Sequence, residues 1–384
     1  MKELSHILAN KTPKSKIRQL FDLASGRSDI ISLGIGQPDF RTPEPIIQGN
    51  IRALEKNITQ YAPTRGIPEL LQLIGDKFSK KNNTQVDWKH NIILSNGGSQ
   101  ALTLTFASLF NPGDEIILFS PNFISYFYLG SFFGVNVKEV RRKKDFSPDF
   151  ESLKKMINEK TKAILINSPN NPTGYVFTPN EIRELIEIVL EFDLYLISDE
   201  VYENYVYDGI EHISPASFKG LFERTITINA MSKLYSATGF RLGYVVANNK
   251  IIDLMEKYHQ YTIAGTNHAA QYGFKEALKM NNNFFNDIFQ SFTERRDYSF
   301  KRLKEIGFEV VKPKGAFYIM PSVEEFNLTG QEFSEKIIKE KGVAIVPGDV
   351  FGKFSNNSLR ISYAIDIKLL EEAMARIEDF VKML

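Results

Sequence analysis

Between residues 91 and 248 the chain alternates short, continuously apolar runs with segments in which apolar residues recur at helical spacing. The apolar runs lie at 91–97, 115–121, 135–142, 162–174, 194–202, 225–233 and 242–248. Helical periodicity at 122–133, 148–158 and 179–192 separates several of them. Strands that are apolar throughout, rather than at every second position, are typical of a mostly parallel sheet buried on both faces. The pattern therefore predicts an α/β fold.

The flanking segments follow a different pattern. Helical spacing predicts helices at 14–24 and 44–56 before the alternating region, and at 249–260, 267–280 and 283–305 after it. The C-terminal part then mixes predicted strands (GFEVV, GAFYIMP, GVAIVP, LRISYA) with a helix at 330–341 and a final amphipathic helix. A chain of 384 residues suits two domains. We predict an N-terminal arm with part of a small domain over 1–45, a large domain over 46–280, and a C-terminal small α+β domain over 281–384.

Composition and charge narrow the function classes. The 47 basic residues are balanced by 46 acidic ones, so the net charge of +1 gives no overall field toward nucleic acid or an anionic membrane. The sequence contains no cysteine, which excludes disulfides, thiolate metal sites and thiol catalysis. No apolar run has the length of a membrane span, and the first residues lack the apolar core of a secretory signal. These features predict a cytoplasmic protein without a metal site.

Polar and aromatic residues lie at the ends of five of the predicted strands or just after them. They are Ser99, Phe123, Asn171, Asp199 and Lys233. In open parallel sheets, ligands bind at the carboxyl ends of the strands, so these residues are expected to lie at one edge of the sheet.

The chemistry of this set points to one ligand. Gly98 and Ser99 at a helix N-terminus, with Ser232 and Arg241, would suit a phosphate. An aromatic ring could stack on Phe123, a ring nitrogen could pair with Asp199, and a phenolic oxygen could accept hydrogen bonds from Asn171 and Tyr202. A desolvated amine on Lys233 could condense with an aldehyde. Pyridoxal 5′-phosphate combines all of these groups. Each residue taken singly also has a purely structural interpretation, such as a helix cap at Asp199, a surface lysine at 233 or core packing of the aromatic residues.

The motifs SPNNPTG (168–174), ISDEVY (197–202) and MSKLYSATGFRLG (231–243) resemble those of class I/II pyridoxal-phosphate-dependent aminotransferases. The resemblance runs from SLGIGQPDF to LRISYA, and among such enzymes the chain is most similar to archaeal aromatic and aspartate aminotransferases. It implies fold type I, with a mostly parallel seven-stranded sheet in the large, cofactor-binding domain. It also implies a homodimer with shared active sites that acts on amino acids and 2-oxo acids by a ping-pong mechanism, with 2-oxoglutarate as the expected acceptor.

The resemblance also implies residue roles. Lys233 would form the covalent link to the cofactor and move the substrate proton, with Asp199 and Tyr202 assisting it. Tyr61 would reach the phosphate of the other subunit's cofactor. Arg360 would bind the substrate carboxylate, assisted by Gly36 and Asn171.

Two departures from the family pattern are visible. Ala230 stands where relatives usually carry Gly or Ser, and Phe123 stands where many carry Trp or Tyr. Lys257 and His259 are the only candidates near the distal pocket for binding an acidic substrate side chain, and we favour aromatic or broad specificity over strict aspartate use. Alternatives on the same scaffold are a carbon–sulfur lyase or another pyridoxal-phosphate enzyme, and more distantly a non-enzymatic cofactor-binding regulator.

Overall fold

A seven-stranded sheet forms the centre of the larger part of the molecule. The computed structural model describes residues 29–384, so the helix expected at 14–24 lies outside the described residues. The strands are β2 (Ile92–Ser95), β3 (Glu115–Ser120), β4 (Asn136–Arg141), β5 (Thr161–Asn167), β6 (Tyr195–Asp199), β7 (Thr225–Ala230) and β8 (Gly243–Val246). Their order across the sheet is β2-β8-β7-β6-β5-β3-β4. All seven fall within the segments in which the sequence predicted strands.

One strand of this sheet runs against the others. β8 pairs antiparallel with both β2 and β7, whereas the pairs from β7 to β4 are all parallel. The carboxyl ends of β2, β3, β5, β6 and β7 therefore share one edge, and the amino end of β8 lies at that edge too. The mostly parallel sheet predicted from the sequence is confirmed.

Helices cover the sheet. In chain order they are α1 (Glu44–Glu55), α2 (Pro68–Asn82), α3 (Gly97–Leu109), α4 (Ile124–Phe133), α5 (Phe150–Met156), α6 (Pro179–Glu191), α7 (Asn249–Thr262) and α8 (His268–Lys279). Apolar cores form around the strands where these helices pack, for example around Ile93, Leu104 and Ile228. α6 begins with a capping box, in which Thr178 and Glu181 satisfy each other's backbone N–H groups. No helix in the described part of the chain is long and apolar enough to span a membrane.

The C-terminal part joins residues from both ends of the described chain. It contains α9 (Asn286–Ile306), β9 (Tyr318–Ile319), α10 (Gly330–Lys341), β10 (Val343–Ala344), β11 (Val346–Pro347), β12 (Leu359–Ser362) and α11 (Ile367–Val381). The short strand β1 (Ile31–Ser32) pairs parallel with β10, and β12 lies between β11 and β9. Ile31 and Leu33 share a core with residues of α9, α10 and α11. This arrangement suits a small unit built from both termini, and the boundaries at 45 and 280 stay a prediction.

The strand expected over GFEVV (307–311) is wrong. Those residues form no strand, and the Glu309 carbonyl accepts a single backbone hydrogen bond from Ser322. Phe308 is buried because it packs on Phe326 and Phe333, with ring centroids 4.8 and 5.8 Å away. The apolar pattern of this segment reflects packing on α10 rather than pairing in a sheet.

Candidate active site

The strand-end residues meet at one edge of the sheet, as the topology requires. Asp199 ends β6, Asn171 follows β5, Lys233 follows β7, and the Gly97–Ser99 turn follows β2 and opens α3. Arg241 lies two residues before β8, which enters the sheet from the same edge because it runs in the opposite direction.

Lys233 is partly buried, and its amine lies at this edge. Its Nζ donates a hydrogen bond of 2.8 Å to the Gly36 carbonyl and lies 5.6 Å from the centre of the Tyr202 ring. Burial lowers the pKa of Lys233 to about 8, the nearby Arg360 and Arg241 add to this effect, and Asp199 opposes it. An amine with this pKa is partly unprotonated near neutral pH and can act as a nucleophile.

Asp199 is a buried carboxyl group with two donors of its own. Its Oδ2 accepts a hydrogen bond of 2.7 Å from the Tyr126 hydroxyl, and its Oδ1 accepts one of 3.3 Å from the Val201 amide. Burial raises the pKa of Asp199 to about 6, against the lowering effect of these two hydrogen bonds and of Lys233. The group is therefore mainly ionised at pH 7 and suits a cationic ring nitrogen. Tyr126 was missed from the sequence, because a tyrosine within a helix that follows a strand carries no signal of this role.

Arg360 is a buried cation of the site. It is 2% exposed and donates to the Asn171 Oδ1 at 3.1 Å and to the Gly34 carbonyl at 2.5 Å. Burial lowers its pKa. Within the described residues its Nε has no hydrogen-bond partner and no carboxylate neutralises it. A buried guanidinium in this condition can bind a carboxylate.

The Gly97–Ser99 turn forms the end of the site suited to phosphate. The backbone of Gly97 has a φ of +74°, and the Arg241 guanidinium lies where a Cβ would be. The side chain of Asn96 does not cap α3, so the first N–H groups of the helix can reach an anion. Ser232 is buried at the start of the lysine turn, and Ser99 is exposed. Gly98 lies next to Ala230 and Val201, where neither side chain offers a hydroxyl.

Of the two aromatic candidates from the sequence, Phe123 lies beside this group and Tyr61 stands apart from it. Phe123 is partly buried and packs edge-on against Tyr126, with ring centroids 5.6 Å apart, so it lies close to Asp199. Tyr61 is 89% exposed and lines a surface hollow with Leu54 and His268. No contact in the described chain links Tyr61 to the Lys233 site of its own subunit.

The two candidates for binding an acidic substrate side chain are not supported. His259 is fully buried between α7 and α3, with its Nδ1 3.2 Å from the Gln100 Nε2. Burial lowers the pKa of His259 to about 4, so the ring is neutral at pH 7. Lys257 is exposed on α7.

A second buried polar cluster lies beside the site. Atoms of Glu200, Glu203 and His212 that could bind a metal lie within 4.8 Å of one another. The Lys81 ammonium already contacts the Glu203 carboxylate at 2.6 Å, and Ser198 and Ser214 donate hydrogen bonds to Glu200. Largely through Lys81, the pKa of Glu203 falls to about 2 in spite of burial. The cluster therefore has its own cation.

The site as a whole fits pyridoxal 5′-phosphate. The Lys233 amine suits the aldehyde, the Asp199 carboxyl suits a protonated ring nitrogen, and the free N–H groups at the start of α3 suit the phosphate. Gly97 is required for this arrangement, because any larger residue would displace Arg241.

Comparison with known proteins agrees with this fit. The profile of the family "Aminotransferase class I and II" matches residues 28–377. The chain is 41% identical to an aspartate aminotransferase of Pyrococcus abyssi and 41% identical to aromatic-amino-acid aminotransferase 2 of Thermococcus litoralis, each over 96% of both chains. Its structure is similar to the crystal structure of the aromatic aminotransferase of Pyrococcus horikoshii OT3. That comparison gives a TM-score of 0.91 at 40% identity and covers 96% of this chain and 99% of the other. The chain therefore belongs to the class I and II aminotransferases, enzymes that transfer amino groups with pyridoxal 5′-phosphate.

Proposed function

We propose that this enzyme transfers the amino group of an L-amino acid, aromatic, acidic or both, to a 2-oxo acid, with 2-oxoglutarate as the acceptor. The observation that supports this most directly is the amine of Lys233, whose pKa is lowered and which lies within electrostatic reach of both the ionisable Asp199 and the unneutralised Arg360. Relatives named for aspartate and for aromatic amino acids are equally similar to the chain, which favours broad donor use.

The proposed mechanism assigns one task to each part of the site. When bound, pyridoxal 5′-phosphate supplies an aldehyde that takes up the amino group and a ring that accepts electrons from the substrate. Lys233 would hold the cofactor through its amine, and the same amine would carry the proton taken from the substrate Cα. Asp199 would keep the ring nitrogen protonated, because the buried carboxylate is stabilised by a positive charge beside it.

The remaining residues orient the two ligands. Tyr202 and Asn171 would donate hydrogen bonds to the phenolic oxygen, and Phe123 would pack on the ring. Arg360 binds the substrate carboxylate, with Asn171 and the Gly36 backbone beside it. Gly98, Ser99, Ser232 and Arg241 hold the phosphate. The donor and the acceptor use the same residues in turn, so ping-pong kinetics are expected.

The active form is proposed to be a homodimer. Tyr61 and Tyr261 are 89% and 90% exposed, and Leu54 is 57% exposed. The loop that carries Tyr61 packs on the segment after α7, where the His268 Nδ1 lies 3.1 Å from the Gln60 carbonyl. This apolar face suits a second copy of the chain, and Tyr61 would then reach the partner's cofactor phosphate.

Mixed dimers test the sharing of sites. Consider a dimer of one Lys233→Ala subunit and one Tyr61→Leu subunit. If Tyr61 acts in the partner's site, the Tyr61→Leu subunit keeps its own Lys233 and receives a wild-type Tyr61 from the other subunit, so one of the two sites is intact. We expect this dimer to recover about half of the wild-type activity. Activity no higher than that of the two parent variants would contradict the shared site.

Lys233→Ala tests the reaction itself. This variant should lose both amino-group transfer and the visible absorption band of the lysine-bound cofactor, because no other residue supplies the amine. Lys219→Ala, which changes an exposed lysine, is the matched control and should behave as wild type. Normal turnover by Lys233→Ala would overturn the proposed mechanism.

Donor choice and reaction type can be measured together. Comparing kcat/KM for phenylalanine, tyrosine and aspartate with 2-oxoglutarate defines the preferred donor. A carbon–sulfur lyase would instead release ammonia and pyruvate without an acceptor. The relatives are named as aminotransferases, which favours neither a lyase nor a non-enzymatic regulator. We place the enzyme in the cytoplasm, with no role for nucleic acid or membrane.

A further inference from the structure

Tyr318 connects two parts of the active site that are otherwise separate. It lies on β9 and is 1% exposed. Its hydroxyl is 2.9 Å from the Tyr202 hydroxyl, and the Arg360 guanidinium lies 4.6 Å from the centre of its ring. One side chain therefore touches both the proposed donor to the phenolic oxygen and the proposed carboxylate-binding residue.

The Tyr318 hydroxyl is also held from a third side. A Cβ at Gly36 would occupy the position of this hydroxyl oxygen, so only glycine leaves room for it. The Gly36 carbonyl in turn accepts the hydrogen bond from Lys233. The hydroxyl thus lies against Gly36 and Tyr202, while the ring of the same side chain lies against Arg360.

The direction of the hydroxyl–hydroxyl bond follows from the task of Tyr202. Either oxygen can donate in the pair. When the Tyr202 hydroxyl donates to an acceptor in the site, its oxygen can still accept a hydrogen bond. The Tyr318 hydroxyl is the donor within reach. Donation from Tyr318 makes Tyr202 a stronger donor, since hydrogen bonds in a chain polarise one another.

We propose that Tyr318 is a positioning residue for amino-group transfer: its hydroxyl orients and strengthens Tyr202, while its ring supports Arg360. The proposal rests on the proposed function, because it takes the cofactor's phenolic oxygen and the substrate carboxylate as the groups that Tyr202 and Arg360 bind. A phenylalanine at 318 would keep the ring and lose the hydroxyl. The two contributions can therefore be measured separately.

The experiment uses the cofactor-loaded enzyme and two measurements. The first is the pH at which the visible absorption band of the bound cofactor titrates, and the second is KM for the amino donor. Tyr318→Phe should move the titration midpoint upward by about half to one pH unit. Without the Tyr318 hydroxyl, Tyr202 donates a weaker hydrogen bond to the phenolic oxygen, so the bound cofactor keeps its proton to a higher pH. Its KM should stay within about twofold of wild type, since the ring on Arg360 remains. Tyr318→Leu should shift the midpoint and also raise KM roughly thirtyfold, the scale of a desolvated cation–π contact.

A double-mutant cycle separates positioning from general packing. If Tyr318 acts through Tyr202, Tyr318→Phe should cause no further shift of the midpoint in a Tyr202→Phe background. Phe317→Leu is the matched control, because Phe317 packs on the Tyr202 ring at 5.3 Å and offers no hydroxyl. It should lower stability and leave the midpoint unchanged.

The outcomes are distinct from those that test the function. An unchanged midpoint in Tyr318→Phe, or shifts that add in the double variant, would overturn the role of Tyr318 while leaving amino-group transfer intact. A wild-type enzyme without a lysine-dependent absorption band would instead overturn the proposed function itself.

Gly36→Ala tests the position of the Tyr318 hydroxyl independently. The added methyl should displace the Tyr318 hydroxyl and shift the midpoint upward as Tyr318→Phe does. Combining Gly36→Ala with Tyr318→Phe removes the colliding oxygen, so the double variant should have the midpoint of Tyr318→Phe alone. A midpoint in Gly36→Ala equal to that of wild type would contradict the proposed contact.

Discussion

Asp199 is expected to reduce the stability of the cofactor-free enzyme while it serves the cofactor-bound one. Its pKa rises from 3.8 to about 6 because the carboxyl group is buried. A group with a raised carboxyl pKa holds its proton more tightly in the folded state, so stability falls as pH rises from about 4 through 6 and stays low above that. At pH 8 the full effect is about 3 kcal/mol, since each tenfold change in proton affinity is worth about 1.4 kcal/mol.

Asp199→Asn removes this charge and keeps the shape of the side chain. The Asn carbonyl can accept from Val201, and its amide can donate to the Tyr126 hydroxyl, which is free to rotate. We therefore expect cofactor-free Asp199→Asn to be more stable than wild type by about 1–3 kcal/mol at pH 8. The difference should fall to roughly half of this at pH 5, where the wild-type carboxyl is largely protonated in the folded protein.

Urea unfolding of the cofactor-free proteins at the two pH values measures the effect. Asp76→Asn, an exposed change on α2, is the control and should be close to neutral at both. The cofactor-loaded variant should be strongly impaired in turnover, because the ring nitrogen loses its counter-charge. Equal or lower stability of Asp199→Asn at pH 8, or a difference that does not depend on pH, would refute the electrostatic explanation.

Two further substitutions follow from local geometry. Gly97→Ala should weaken cofactor binding by about tenfold or more, measured by absorbance titration, because the methyl group displaces the Arg241 guanidinium and the backbone φ of +74° disfavours alanine. Lys81→Met should lower the free energy of unfolding, measured by urea denaturation, by about 1–3 kcal/mol. The substitution leaves the buried Glu203 carboxylate without its cation, and the partial exposure of Lys81 moderates the effect.

Matched controls distinguish these effects from general damage. Gly113→Ala has a similar positive φ and would meet no atom within 4 Å, so it should cost stability without affecting cofactor binding. Lys80→Met changes an exposed neighbour of Lys81 and should be nearly neutral. If Gly97→Ala bound the cofactor as tightly as Gly113→Ala, or Lys81→Met were as stable as Lys80→Met, the corresponding interpretation would be wrong.

The sequence was sufficient where chemistry follows local pattern. Continuous apolar runs identify strands buried on both faces, and in a parallel sheet the residues that follow the strands must share an edge. Asp199, Asn171 and Lys233 could therefore be grouped without a structure. The same reasoning misplaced a strand at GFEVV, because alternating burial does not distinguish packing on a helix from hydrogen bonding to a neighbouring strand.

The residues missed from the sequence act across long separations. Tyr126 reaches Asp199 across 73 positions, and Tyr318 reaches Tyr202 across 116. Tyrosines are common in protein cores, so nothing local distinguishes one whose hydroxyl meets a functional group.

By itself, then, the sequence determined the fold class and the edge of the sheet where the candidate site lies, and it predicted Lys233 as the reactive amine, because each depends on the order and periodicity of nearby residues. Only the tertiary structure decided the protonation of Asp199 and Lys233, the burial of Arg360 and its contact with Gly34, 326 positions away, and the position of Tyr61 outside its own subunit's site. Burial and neighbouring charge set these properties, and both arise from packing between segments that are distant in the chain.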